Sequence, residues 1–317
     1  MNFIMNTLKI LHLLPPEFSH SCFIFVAKNF PFLMPKLKIP QIKTEFFGKT
    51  AKNYYGVAAG LDKNADCIPA LFKMGFGIVE VGTVTPKPQK GNAKPRIWRF
   101  IKEKSLLNAM GFPNNGMDYV FQNVMKYKRK NGEILGVNIG RNKDGSSDDY
   151  LILIEKFHAY CDYITINISS PNTPNLRDVL NNNQMLEEFL GEINTHRIRN
   201  QIITPFLLKI SPDVQNLEDI YKIACKNNID GFVLTNTTLD KSALPAPFNK
   251  SNVGGVSGGA LREKSANILK EFAKINTEKK FVISAGGIST NEQANERISI
   301  GANAVQIYSS LIFGSFI

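Results

Sequence analysis

Tyr163 to Leu176 reads YITINISSPNTPNL, and its two halves obey different rules. In the first half Ile164, Ile166 and Ile168 alternate with Thr165, Asn167 and Ser169. That period of two places side chains on opposite faces of a β-strand. In the second half Ser, Pro, Asn and Thr run without an apolar residue until Leu176, which predicts a loop. A strand at a sheet edge would simply turn such a polar face to water, but the arrangement recurs. Val137-Asn138-Ile139, Leu207-Leu208-Lys209-Ile210 and Gly231-Phe232-Val233-Leu234-Thr235 are short apolar runs, each with one polar residue near its C-terminal end. Runs this apolar belong to parallel strands covered by helices. A lysine inside one is costly unless an anionic group meets it. Asn138, Asn167, Lys209 and Thr235, at the same end of four strands, therefore predict one pocket.

Outward from these strands the chain keeps one rhythm. Strands are predicted at 56–59, 78–82, 134–140, 163–168, 204–210, 230–235, 281–285 and 303–307, with helical patterns at 65–74, 116–129, 148–160, 184–199, 216–227, 263–275 and 290–300. Alternation predicts an α/β fold with a parallel sheet, and the count of eight favours a closed (β/α)8 TIM barrel. Such a barrel commonly uses about 250 residues as one domain, which a chain of 317 accommodates. The long inserts 83–115, 169–183 and 236–262 follow strand ends, where a barrel builds its chemistry. Only ten residues follow strand eight. The eighth helix is therefore expected to be truncated, leaving Val305 and Ile307 partly uncovered.

Ahead of the barrel, residues 1–35 predict a helical hairpin and 36–317 the barrel domain. Ile4, Leu8 and Leu11 mark a first helix, Pro15-Pro16 stops it, and Glu17 opens a second in its favoured first turn. Phe18, Cys22, Phe25, Val26 and Phe30 form the second helix's stripe, with Phe23 and Ile24 spilling onto the remaining face. Helices apolar on more than one side suit a hairpin that touches both its own domain and a bilayer surface. The apolar segment is short, no small-residue cleavage site follows, and no arginine precedes Arg96, so the segment reads as part of the mature protein. No stretch approaches the roughly 20 apolar residues of a membrane span.

The formal charge is +11. Lys9, Lys28, Lys36, Lys38, Lys43, Lys49 and Lys52 stand against only Glu17 and Glu45 in the first 52 residues, a bias that an anionic membrane surface or nucleic acid would attract. Cys22, Cys67, Cys161 and Cys225 lie far apart without paired spacing, and with four scattered histidines they give neither a disulfide nor a metal signal.

Small-residue loops cluster at the strand ends. GVAAGLDKN (56–64) and VGTVTP (81–86) let a flat ligand approach closely. LLNAMGFPNNG (106–116) offers Asn108, Asn114 and Asn115, whose amides suit a ligand with ureide or amide edges. VGGVSGGAL (253–261), ISAGGI (283–288) and QIYSS (306–310) follow strands six, seven and eight, the usual place for a phosphate cradle of backbone amides.

Taken together, AAGLDKN, VGTVTP, NAMGFPNNG, VNIG with NKD, INISSPNTPNLR, LLKISPD, TNTT, GGVSG and SAGGI occur in the order seen in dihydroorotate dehydrogenases, and the chain resembles that family over nearly its whole length. The hairpin resembles the membrane-associated, quinone-reducing class 2, whose two helices form a quinone tunnel. Ser170 points the same way, because class 2 uses serine as base where the cytosolic class uses cysteine. The resemblance implies oxidation of dihydroorotate to orotate in pyrimidine biosynthesis, with FMN as hydride acceptor and a membrane quinone as final acceptor. It further implies a monomer, peripheral on the cytoplasmic face of a bacterial inner membrane, with no metal and no nucleic-acid partner. Ser170 matches the catalytic base. Lys63, Asn108, Ala109, Met110, Gly111, Phe112, Asn167, Asn172, Asn236 and Thr237 match the groups around dihydroorotate. Ala59, Gly60, Leu61, Asp62, Lys63, Thr83, Asn138, Asn167, Lys209, Thr235, Gly258, Gly287, Tyr308 and Ser309 match the FMN contacts. Tyr54-Tyr55 replaces the family's usual Pro-Leu, and the loop 142–148 is shorter than in many relatives. Three rivals stand beside this reading: the soluble class of the same enzyme, which a cysteine in place of Ser170 and no hairpin would have supported; a decayed FMN-binding copy without turnover; and a flavin-dependent tRNA-modifying reductase, which the basic charge would suit but which normally carries a loop cysteine near Asn167 that is absent here.

Overall fold

The computed structural model describes residues 12–173 and 176–314. Most of the predicted first hairpin arm, residues 1–11, lies outside the described residues, as do 174–175 of the SPNTPNL loop and 315–317.

Eight parallel strands close into a barrel. In chain order they are β3 (Tyr55–Val57), β4 (Ile78–Val84), β7 (Ile134–Ile139), β8 (Tyr163–Asn167), β9 (Phe206–Ile210), β10 (Gly231–Leu234), β12 (Phe281–Ala285) and β13 (Ala304–Ile307). Sequential neighbours pair, and β13 pairs back onto β3 through Val305, Gln306 and Ile307. All eight predicted strands are present. Nearly every residue in them is buried, as expected for a sheet covered outside and filled inside. The seven predicted helices occupy their expected places, for instance Asn183–Arg199 and Arg262–Ile275.

The expected exposure after strand eight does not occur. Val305 and Ile307 are fully buried. A short helix, Ser309–Phe313, follows directly, and its Leu311 packs on the core. Beside it, helix Asn291–Ile300 is held to the sheet by Tyr54 and Tyr55, whose hydroxyls donate to Asn295 (2.5 Å) and Asn291 (3.0 Å). The two tyrosine rings stack at 4.6 Å. The Tyr-Tyr substitution thus fills apolar space and adds two tethers.

Two small sheets lack any counterpart in the sequence reading. Strands β1 (Thr44–Phe46) and β2 (Lys49–Ala51) form a hairpin that buries Phe46 against Tyr163 and Phe281. At the other end β5 (Ile97–Phe100), β6 (Ser105–Asn108) and β11 (Gly255–Gly258) form an antiparallel sheet from two inserts, with its own core of Phe100, Leu107, Leu244 and Val256.

Helix Pro16–Asn29 begins as expected, with Pro in its first turn and Glu17 beside it. It packs against β5 and helix Ile68–Lys73. The side that meets the barrel is not the one marked by Phe18, Phe25 and Phe30. Phe23 and Ile24 pack on the core and Ala27 is buried, whereas Phe18, Phe25 and Phe30 are exposed, with Phe32 and Leu33 continuing the patch.

Candidate active site

A cavity of about 670 Å³ opens at the C-terminal ends of the barrel strands, the end at which such barrels carry their chemistry. Its floor is polar because several strands point one polar side chain inward. Glu80 of β4 is fully buried and accepts hydrogen bonds from Asn138 Nδ2 (2.8 Å), Tyr163 Oη (3.0 Å), Thr165 Oγ1 (3.0 Å) and Gln306 Nε2 (2.7 Å). Four donors on one carboxylate offset much of the cost of burying it. Tyr163 reaches Glu80 only because Gly136 has no side chain: a Cβ there would lie 2.1 Å from Tyr163 Cζ.

Above Glu80 the side chains are chained together. Thr83 Oγ1 donates to Asn138 Oδ1 at 2.6 Å, and Asn167 Nδ2 donates to both Thr83 Oγ1 and Asn138 Oδ1 at 3.1 Å. Asn167 Oδ1 then accepts from Asn236 Nδ2 (3.3 Å) and from the Ser169 hydroxyl (3.2 Å). Lys209, level with Asn167 in the β8–β9 register, is 6% exposed. Burial lowers its pKa, and the charge of Glu80 partly opposes that. Among the described residues no side chain bonds its ammonium directly, so it is available to a ligand.

Ser170 lines the same cavity; it is buried and its Oγ accepts from the Asn172 amide at 3.2 Å. Asn172 Nδ2 donates to the Asn108 carbonyl (3.2 Å), tying the loop after β8 to the end of β6. Arg177 holds that loop from behind. Its guanidinium donates to the Ser169 carbonyl (2.9 Å), the Thr237 carbonyl (2.7 Å) and Asp213 (2.8 Å). Asp213 also takes Lys264 Nζ (2.6 Å), Thr238 Oγ1 (2.6 Å) and the Leu239 amide (2.8 Å). Burial alone would push its carboxyl up, but these donors outweigh it and bring it down to about 2. Lys63 donates to the Gly60 carbonyl at 2.6 Å. Burial, with the nearby Arg96 guanidinium adding to it, brings its ammonium down to about 8. Arg96 is itself paired with Glu17 of the N-terminal helix at 2.7 Å. His20 of that helix donates through Nε2 to the Leu61 carbonyl at 2.7 Å.

The cavity brings together Ala59, Gly60, Lys63, Thr83, Asn108, Met110, Gly111, Phe112 and Asn167 of the sequence-predicted residues. It also gathers Ser170, Asn172, Lys209, Thr235, Asn236, Thr237, Gly258, Gly287, Tyr308 and Ser309. Four predicted residues stand behind the wall. Leu61 and Ala109 are buried with the core. Asp62 turns away to accept the amides of Asp66 (2.8 Å) and Cys67 (2.7 Å), since a carboxylate there caps the next turn. Asn138 lies one layer down, orienting Thr83 and Asn167. Glu80, Gln306 and Arg177 were missed. The first two carried a legible signal, a polar residue inside an apolar strand, which is the criterion that singled out Lys209.

Three buried atoms have no hydrogen-bond partner among the described residues: Thr237 Oγ1, Gln306 Oε1 and Ser310 Oγ. All three residues line this cavity. Orphaned polar atoms at a cavity wall are expected where a ligand completes the set.

Residues 41–317 match the family model described as dihydroorotate dehydrogenase. The chain belongs to the dihydroorotate dehydrogenase family. It is 41% identical to a dihydroorotate dehydrogenase (quinone) of Escherichia coli O1:K1 / APEC, over 96% of this chain and 94% of that one. A dihydroorotate dehydrogenase (quinone) of Vibrio parahaemolyticus serotype O3:K6 is 40% identical over 89% of this chain and 86% of its own. Among solved structures the chain is similar to the Eimeria tenella DHODH in complex with ferulenol, with a TM-score of 0.87 and 32% identity, covering 94% of this chain and 87% of that chain. The ligand-free Eimeria tenella enzyme superposes with a TM-score of 0.84 at 33% identity, over 95% of this chain and 90% of that chain. Membership in the dihydroorotate dehydrogenase family agrees with a barrel whose polar groups converge at one mouth.

Proposed function

We propose that the protein oxidises dihydroorotate to orotate in pyrimidine biosynthesis, with FMN, which Lys209 would help to hold, as hydride acceptor and a quinone as the final electron acceptor. The observation that carries this reading is the convergence of Lys209, Ser170 and Lys63 on one cavity. An ammonium at its floor and a serine hydroxyl in its wall are what a flavin and a pyrimidine between them require. The three unpartnered buried atoms fit a ligand rich in hydrogen-bonding edges.

Forming the C5–C6 double bond removes a proton from C5 and a hydride from C6. Bound FMN supplies the hydride acceptor, which no amino-acid side chain can be. Ser170 Oγ takes the C5 proton, held in place by the Asn172 amide. Lys63 pairs with the substrate carboxylate, while Asn108, Asn167, Asn172 and Asn236 meet the ureide edges. Lys209 would stabilise negative charge on the bound cofactor. Gly258, Gly287, Tyr308 and Ser309 hold the phosphate end.

Membrane quinone is reached from the side covered by helix Pro16–Asn29. No described helix is long and apolar enough to cross a membrane. Exposed Phe18, Phe25, Phe32 and Leu33, followed by exposed Lys36 and Lys38, suit a peripheral position on an anionic surface. That surface is the cytoplasmic face of a bacterial inner membrane, and the protein acts there as a monomer. Purified protein should show a flavin absorption spectrum that bleaches on anaerobic addition of dihydroorotate and returns on addition of a quinone. A flavin spectrum that dihydroorotate leaves unchanged would refute the assignment.

A further inference from the structure

Arg297, in helix Asn291–Ile300, is the largest fully buried side chain among the described residues, 1% exposed. Its guanidinium donates to Ser284 Oγ (3.2 Å), the Arg262 carbonyl (2.7 Å), Ser265 Oγ (3.0 Å) and the Gly286 carbonyl (3.3 Å). Every acceptor is neutral. Among the described residues no carboxylate bonds Arg297, although Glu296 is next to it in the helix and Glu263 lies on the cavity wall. A buried cation normally has an anionic partner, and here Arg262 contributes its backbone carbonyl and no counter-charge. Burial lowers its pKa to about 10, with Glu296 opposing that and Arg262 adding to it.

The groups it grips belong to the glycine-lined end of the cavity. Gly286, Gly287 and Arg262 all line it. Gly287 has φ +70°, and a Cβ there would lie 2.5 Å from Arg262 Cα, so the loop is pressed directly onto the start of helix Arg262–Ile275. Ser265 donates to the Gly286 carbonyl at 2.8 Å as well, making Arg297 and Ser265 a joint clamp on that peptide. Ser310 Oγ, buried and without a hydrogen-bond partner among the described residues, belongs to a residue lining the same cavity. A buried positive charge behind the loop, the clamped glycines and an open hydroxyl are complementary to a dianion.

We propose that Arg297 is a positioning residue for the phosphate end of the cavity, the buried counter-charge that makes the site prefer a phosphorylated flavin over one without phosphate. The inference rests on the FMN reading above. It acts through the Gly286 loop and not by contact with the reacting ring. The test follows exchange of the bound cofactor in the holoenzyme against added FMN and added riboflavin, read by flavin fluorescence. Wild-type protein should favour FMN. Arg297→Met should cut the FMN-to-riboflavin preference by about tenfold or more, and Arg297→Lys should restore most of it. Arg297→Gln keeps a donor to Ser265 and Gly286 while removing the charge, and covers the case in which Arg297→Met does not fold. An unchanged ratio in the folded neutral variants, even with both flavins held less tightly, overturns the proposal and leaves Arg297 a structural residue. Wild-type protein that retains no flavin overturns the FMN reading itself, and with it this one.

Discussion

A serine hydroxyl is a weak base in water, so Ser170 can take a proton only where its surroundings position it and receive the charge. The Asn172 amide donates to its oxygen and the Arg177 guanidinium holds the preceding carbonyl. Ser170→Ala should therefore lower kcat by about 10²–10⁴-fold with little change in KM, and the flavin should stay bound; stopped-flow bleaching by dihydroorotate separates the two effects. Lys63 carries a pH signature. Its ammonium is brought down to about 8, so the charge that meets the substrate carboxylate is present below that pH and lost above it. KM for dihydroorotate should rise about tenfold per pH unit above roughly pH 8, and a profile flat to pH 10 would remove Lys63 from that role. Lys209 was legible in the sequence because a charge inside an apolar strand needs an anionic neighbour. Glu80 satisfies the same criterion in IVEVGTV yet escaped it, since VGTVTP drew attention to the loop and not to the strand before it. What no local pattern could give is that Tyr163, Thr165 and Gln306 all converge on Glu80, because those contacts span 83, 85 and 226 residues.

At the scale of elements, the loops at the mouth are held by a charged knot. Asp213 joins the loop after β9 to Arg177, Thr238, the Leu239 amide and Lys264. Its carboxyl is held at about 2, below the ordinary 3.8, so the stabilisation is fully present above pH 4 and lost as pH falls through 2. Asp213→Asn should cost about 2 kcal/mol at pH 7, and the gap between variant and wild type in chemical denaturation should narrow as pH falls from 4 toward 2. A constant gap would mean that the knot acts through hydrogen bonding and not through charge. The barrel strands and helices were readable because each carries its own period. The sheet of β5, β6 and β11 was not, since its strands come from inserts about 150 residues apart (Val256 opposite Leu107) and only their pairing makes them strands. Which face of helix Pro16–Asn29 meets the barrel was not legible for a related reason: with aromatic residues all round, its own periodicity does not distinguish the sides.

At the scale of the whole molecule, Phe18, Phe25, Phe32 and Leu33 are exposed near each other in the chain. Phe25→Ser with Phe32→Ser should weaken co-sedimentation with anionic vesicles by at least about tenfold, and leave reduction of the flavin by dihydroorotate in solution unchanged. Equal vesicle binding by the double variant would place the membrane contact elsewhere. The closure of β13 onto β3 also bears on how the protein is made. Gln306 is the last of the Glu80 donors to leave the ribosome, and at 5–20 residues per second it emerges roughly 10–45 s after Glu80 itself. Until then the nascent chain holds an acid that lacks one of its bonds and a cylinder with an open seam. Emergence of β13, and not any earlier stage of synthesis, is therefore the moment at which the interior can seal.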